Sequence, residues 1–132
     1  MKCIISILFL VALSLQTQAQ TAVEKEFDIK FNAEHIELGP VIKGEKVSDT
    51  FIFTNLGTEP IKIDLVSSCE CTTLDWSRGK VMPNEEGFIQ FTFDSTSKTE
   101  SETIDIEIFF KNTDGDGEPI FKLTTYSFEL EL

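Results

Sequence analysis

Apolar and polar positions alternate along most of this chain, with the period of two expected of strands that bury one face. Phe27-Asp28-Ile29-Lys30-Phe31 is the first such run. Ile36-Glu37-Leu38 repeats the pattern and ends at Gly39-Pro40. Pro40 has no N–H to give a ladder, so it belongs at a sheet edge or outside the sheet. Val47 to Asn55 predicts a longer strand, with Phe51 and Phe53 on one face and Ile52 on the other. Asn55-Leu56-Gly57 then supplies residues that tolerate the positive φ of tight turns.

Ile61-Lys62-Ile63-Asp64-Leu65 alternates strictly and leads into Ser67-Ser68-Cys69-Glu70-Cys71-Thr72-Thr73. In an unbroken strand Ile61, Ile63, Leu65, Ser67, Cys69 and Cys71 would all point inward. Leu74 and Trp76 have the opposite parity, which predicts a bulge or turn near Thr72-Thr73. After the turn residues Pro83-Asn84-Glu85-Glu86-Gly87, Ile89, Phe91 and Phe93 share a face. Ile104, Ile106, Ile108 and Phe110 share another, opposite Asp105 and Glu107. Phe121 and Leu123 differ in parity from Tyr126, Phe128, Leu130 and Leu132, which predicts a second bulge near Thr124-Thr125.

No segment carries a sustained 3.6-residue apolar stripe. About seven short strands separated by turns predict an all-β, antiparallel β-sandwich, and eleven of the chain's twelve phenylalanines, all but Phe9, supply material for its core.

The N-terminal stretch follows another logic. Met1-Lys2, an apolar run from Ile4 to Leu15 and the small residues before Gln20 have the layout of a signal peptide. The run is short for a membrane span, so cleavage after Ala19 is expected, with residues 20–132 forming one domain. Cys3 precedes the apolar run and is badly placed for lipid attachment at a cleavage site. Export, to the periplasm or the exterior, follows from this layout. The formal net charge of −12 argues against nucleic acid as a partner and against docking on anionic lipid, because both need a basic face.

Three motifs occur in order: Phe53-Thr54-Asn55-Leu56-Gly57-Thr58-Glu59-Pro60-Ile61, Ser68-Cys69-Glu70-Cys71-Thr72 and Pro83-Asn84-Glu85-Glu86-Gly87-Phe88-Ile89. Over residues 27 to 125 the chain resembles domain-of-unknown-function family 1573. The resemblance implies an exported bacterial protein of a kind common in Bacteroidetes. It also implies an immunoglobulin-like sandwich akin to the hydin and major-sperm-protein group. It brings no established activity. The family usually has Gly where this chain has Glu70, and Pro-Gly where it has Pro83-Asn84. Asn accepts positive φ nearly as Gly does, so the second departure is mild. Glu70 implies a different turn, or strain, between the cysteines.

Cys69 and Cys71 admit three roles. A disulfide suits an oxidising compartment, although two extended residues span about 6.6 Å and the backbone must bend to close it. Paired thiolates also suit Cu(I) or Zn(II), with His35 and Met82 as the other soft or borderline ligands. The third role is that of two small buried hydrophobes. Catalysis by a reactive thiolate is disfavoured by Glu70, whose charge raises a neighbouring thiol pKa; Arg78 and Lys80 are the nearest basic residues in sequence.

Asn112-Thr113-Asp114-Gly115-Asp116-Gly117 opens like a calcium loop, but Leu123 stands where the bidentate Glu belongs, so a hairpin loop is expected. Glu85-Glu86 and the acids from Glu100 to Glu107 read as solvated strand faces. No hydrolase or zinc-protease motif is present. The sequence therefore predicts an exported, non-catalytic binding or assembly module without a cofactor, whose partner is a protein or peptide. The alternative is a thiol-dependent redox or copper-handling protein that uses Cys69 and Cys71.

Overall fold

The computed structural model describes residues 25–132. The signal peptide expected at residues 1–19, its cleavage site and Cys3 lie outside them. Eight strands follow in chain order: β1 (Ile29–Phe31), β2 (His35–Ile42), β3 (Lys46–Asn55), β4 (Ile63–Ser67), β5 (Thr72–Trp76), β6 (Glu86–Asp94), β7 (Glu102–Thr113) and β8 (Pro119–Glu131). They form two four-stranded sheets, ordered β1-β3-β6-β5 and β2-β8-β7-β4. The fold is an all-β sandwich of immunoglobulin-like type. One pairing is parallel: β2 lies beside β8, with its register shifted between Glu37 and Pro40.

The alternation explains the core. Phe51 and Phe53 of β3, Ile89, Phe91 and Phe93 of β6, and Ile104, Ile106, Ile108 and Phe110 of β7 are buried. They meet Tyr126 and Phe128 of β8 between the sheets. Phe91 stacks on Tyr126 at 4.4 Å between ring centroids, and Phe93 meets Phe128 at 4.3 Å. Offset aromatic contacts of this kind add to the gain from removing large rings from water.

Four expectations need correction. The strand that begins at Ile36 does not end at Gly39-Pro40 but runs to Ile42, and its register shift accommodates the proline on an edge strand. Ile61, Ile63 and Leu65 do not share a face, because a register shift between Ile63 and Leu65 turns Leu65 outward and Val66 inward. No bulge interrupts β8 near Thr124-Thr125; its pairing with β7 is continuous from Phe128 to Phe121. Thr124 therefore faces the core, and Phe121 and Leu123 are exposed at 47% and 46%. Leu65, Phe109 and Phe121 consequently form an apolar row across the outer face of three strands, with Phe109 and Phe121 5.2 Å apart.

The fourth correction concerns Asn55-Leu56-Gly57, where no positive φ is found. Asn55 is instead a buried clasp. Its amide donates to the carbonyls of Glu59 and Val81, at 2.8 and 2.9 Å, and its side-chain oxygen accepts from the Gly57 N–H. Gly57 is required by close approach, since a Cβ there would collide with the Glu26 carbonyl. Positive φ occurs instead at Asn84 (68°), a residue type that tolerates it.

Candidate functional site

The cysteine segment is where the chain passes from one sheet to the other. β4 ends at Ser67 in the second sheet, and β5 begins at Thr72 in the first. The break predicted near Thr72-Thr73 lies slightly earlier, at Glu70-Cys71, and is closed by a hydrogen bond from the Thr72 N–H to the Cys69 carbonyl at 3.0 Å. The turn draws the two Cα atoms to 5.2 Å, and a disulfide joins Cys69 to Cys71. That separation lies inside the range disulfides ordinarily span. Glu70 is not at positive φ, so this turn needs no glycine between the cysteines.

Both cysteines are partly buried against the rim of the core. The Thr72 hydroxyl lies 3.2 Å from Cys69 Sγ and 3.5 Å from Cys71 Sγ. It also lies 2.6 Å from the Tyr126 hydroxyl, which in turn is 3.9 Å from Cys71 Sγ. Burial raises the Tyr126 pKa above its ordinary value, the Thr72 hydrogen bond opposing this and the charge of Glu102 adding to it. Tyr126 thus keeps its hydroxyl proton at the sulfur end of the aromatic layer.

A cleft of about 300 Å³ opens beside the turn, lined by Ser68, Cys69, Thr103, Asp105 and Glu107 among others. It exists because β4 stops short. Ser67 pairs with Glu107, and beyond that point β7 loses β4 as a neighbour, with only the Ser68 hydroxyl reaching the Asp105 carbonyl at 2.7 Å.

The other candidate ligands are engaged elsewhere. His35, on the solvent side of β2, bonds through its ring nitrogens to the hydroxyls of Thr125 (2.7 Å) and Ser127 (3.0 Å). Met82 is exposed between β5 and β6. Arg78 covers the Trp76 ring at 3.6 Å and approaches Asp75 at 3.7 Å. Among the described residues, no three of His, Cys, Asp and Glu gather as a metal-ion site. In the β7–β8 hairpin the Asp114 carboxylate accepts from the N–H groups of Asp116 and Glu118, so it serves the loop's own backbone.

The sequence singled out the cysteine turn, with the role of its sulfurs left open, but not the cleft or Tyr126. The available signal was the length of the alternation from Thr103 to Phe110, which outruns the five-residue β4 that pairs with it.

The DUF1573 family, described as proteins of unknown function, matches residues 29–124, and the chain belongs to that family. No curated protein is similar enough to count as a match. Among solved structures, the chain resembles a protein of unknown function from Porphyromonas gingivalis W83, with a TM-score of 0.61 and 17% identity. That match covers 82% of this chain and 48% of the other, so the chain spans about half the length of the Porphyromonas protein. It also resembles the ASH/PapD-like domain 7 of human CEP192, with a TM-score of 0.61, 11% identity, and coverage of 80% and 87% respectively. A third likeness is to the VesB protease of Vibrio cholerae, with a TM-score of 0.57 and 17% identity over 81% of this chain and 32% of that one. At these identities the likenesses establish the fold alone.

Proposed function

We propose that this DUF1573 protein is an exported, non-catalytic module that binds an extended protein or peptide segment along the free edge of β5. The state of that edge carries the proposal. A sheet edge is a template for an added strand unless something blunts it. β1 has three residues, and the part of β3 beyond it carries Lys46 and Asp49. β2 has Pro40 and a register shift, and β4 has a shift between Ile63 and Leu65. β5 runs in unbroken register against β6 from Thr72 to Trp76.

Its hydrogen bonds define the free side. The Cys71 carbonyl and the Ser77 N–H face β6, so the main-chain groups of Leu74 and Trp76 point away from it. The Trp76 N–H donates to the Asp75 carboxylate at 2.9 Å, a bond that an incoming strand displaces, and the Leu74 N–H and carbonyl are the groups it meets first. Their half-buried side chains border the core and offer an apolar shelf to an incoming strand. Export is supported by the layout of residues 1–19, and the absence of a hydrolase or zinc-protease motif supports binding without turnover.

Selection from a random peptide display library tests this reading. Enriched peptides should alternate apolar and polar residues, and they should cross-link to a photoreactive residue placed at Asp75. Leu74→Pro removes an N–H that β6 does not use, so the variant should keep its circular dichroism spectrum and lose peptide binding. Peptides that bind the folded variant equally well would overturn the assignment. Exchange of both cysteines for serine should leave peptide capture intact.

A further inference from the structure

The cysteine turn has features that a mere crosslink does not need. The disulfide closes a loop of three residues, the case in which restricting the unfolded chain contributes least. It sits at the wall of an open cleft, and hydroxyl groups attend both sulfurs. We propose that Cys69–Cys71 is a thiol-exchange site for cysteine thiolates carried on cationic protein or peptide segments. This goes beyond strand docking at β5 and does not rest on it.

The step is a displacement at sulfur. A client thiolate entering the cleft attacks Cys69 Sγ, the client S–Cys69 S bond forms, and the Cys69–Cys71 bond breaks. The electron pair of the broken bond leaves on Cys71 as a thiolate. The products are a mixed disulfide on Cys69 and a free Cys71, which takes a proton from water according to pH. A second client thiolate can then displace Cys69, leaving the client as a disulfide and the protein as a dithiol. Alternatively Cys71 attacks back and releases the client unchanged.

The geometry assigns these roles. Cys69 lines the cleft, so it is the sulfur a client reaches. The Thr72 hydroxyl stands near both sulfurs, whereas the Tyr126 hydroxyl approaches Cys71 and can donate to the departing thiolate. A stabilised leaving thiolate speeds exchange.

Charge sets the client class. Asp105 and Glu107 line the cleft, Glu70 lies between the two cysteines, and no lysine or arginine lines the cleft. An anionic thiol is therefore repelled, and a thiolate beside a positive charge is repelled least.

Three thiols of nearly equal size separate the possibilities: cysteamine, 2-mercaptoethanol and 2-mercaptoethanesulfonate. Their rates of disulfide opening, corrected for thiolate concentration, should fall in that order, spanning about tenfold at low salt. The span should shrink at high salt, as screening requires. The oxidised peptide Ser-Ser-Cys-Glu-Cys-Thr serves as the reference for an unfolded turn. Acid quenching and mass mapping should place the first adduct on Cys69. Asp105→Asn with Glu107→Gln, both exposed strand positions, should flatten the order. Equal rates for the three thiols, a span no larger than that of the peptide, an adduct on Cys71, or an order that survives the double variant would each overturn the proposal.

Discussion

The aromatic layer and the cysteine turn meet at Tyr126, yet they are held in place by different means. In the layer, Tyr126 stacks on Phe91 and tilts against Phe93, which packs on Phe128, and all four rings are almost wholly removed from water. Position there is over-determined by many weak contacts. In the turn, Cys69, Glu70 and Cys71 are partly or fully exposed, and their geometry rests on two backbone hydrogen bonds, Thr72 N–H to the Cys69 carbonyl and Asp94 N–H to the Cys71 carbonyl, with one covalent bond and a few hydroxyl contacts. Stability is concentrated in the layer, and the turn is left free to present chemistry at its edge.

The sharpest way to break that comparison is to delete from each side. Phe91→Ala should cost about 3–5 kcal/mol, because the ring touches partners in both sheets and its space cannot collapse fully. Urea denaturation would read this directly. Replacing Cys69 and Cys71 together with serine should cost roughly 1–2 kcal/mol by the loop-closure argument for so short a ring. If the serine variant lost as much stability as Phe91→Ala, the turn would be part of the stability core and the contrast would fail.

The smallest effect concerns the residue they share. Tyr126 is the chain's one tyrosine, and its pKa is raised by burial from the ordinary 10.0. Below about pH 10 the hydroxyl is protonated in both folded and unfolded chains, and its full contribution is present. Above that pH the unfolded chain ionises first, so stability should fall until the folded hydroxyl ionises as well. Denaturation midpoints measured from pH 8 upward should show this decline in the native protein and a shallower one in Tyr126→Phe. Parallel curves would separate Tyr126 from the buried layer.

Where the alternation was legible, it was so because each apolar side chain had one place to go. On β7, Ile104, Ile106, Ile108 and Phe110 all face the core as their spacing implies. On β8 the same rule misplaced Phe121 and Leu123. It equates apolar with buried, while much of any folded surface is apolar. Those residues find company on the outside, Phe121 against Phe109, and the buried position falls to Thr124, whose hydroxyl has no partner among the described residues. The turn at the cysteines was visible as a change of parity beside their close spacing, although the sequence left the role of the two sulfurs open. The cleft was not, since it depends on where β4 stops beside β7, a property of two strands that are far apart in sequence. The parallel partner of β2 was hidden for the same reason.

That parallel pairing has a kinetic consequence. His35 lies beside Thr125, ninety residues further along the chain. As the polypeptide emerges, β2 must wait for the last strand of the sandwich before it gains any neighbour in its sheet. Closing so long a loop is slow, and proteins dominated by such distant contacts fold in milliseconds to seconds. β4 and β7 can pair earlier, but the second sheet is completed only when β8 arrives between β7 and β2. A nascent chain stopped before β8 would hold β2 unpaired and β7 bare along one side, so the final thirteen-residue strand acts as the checkpoint for completion.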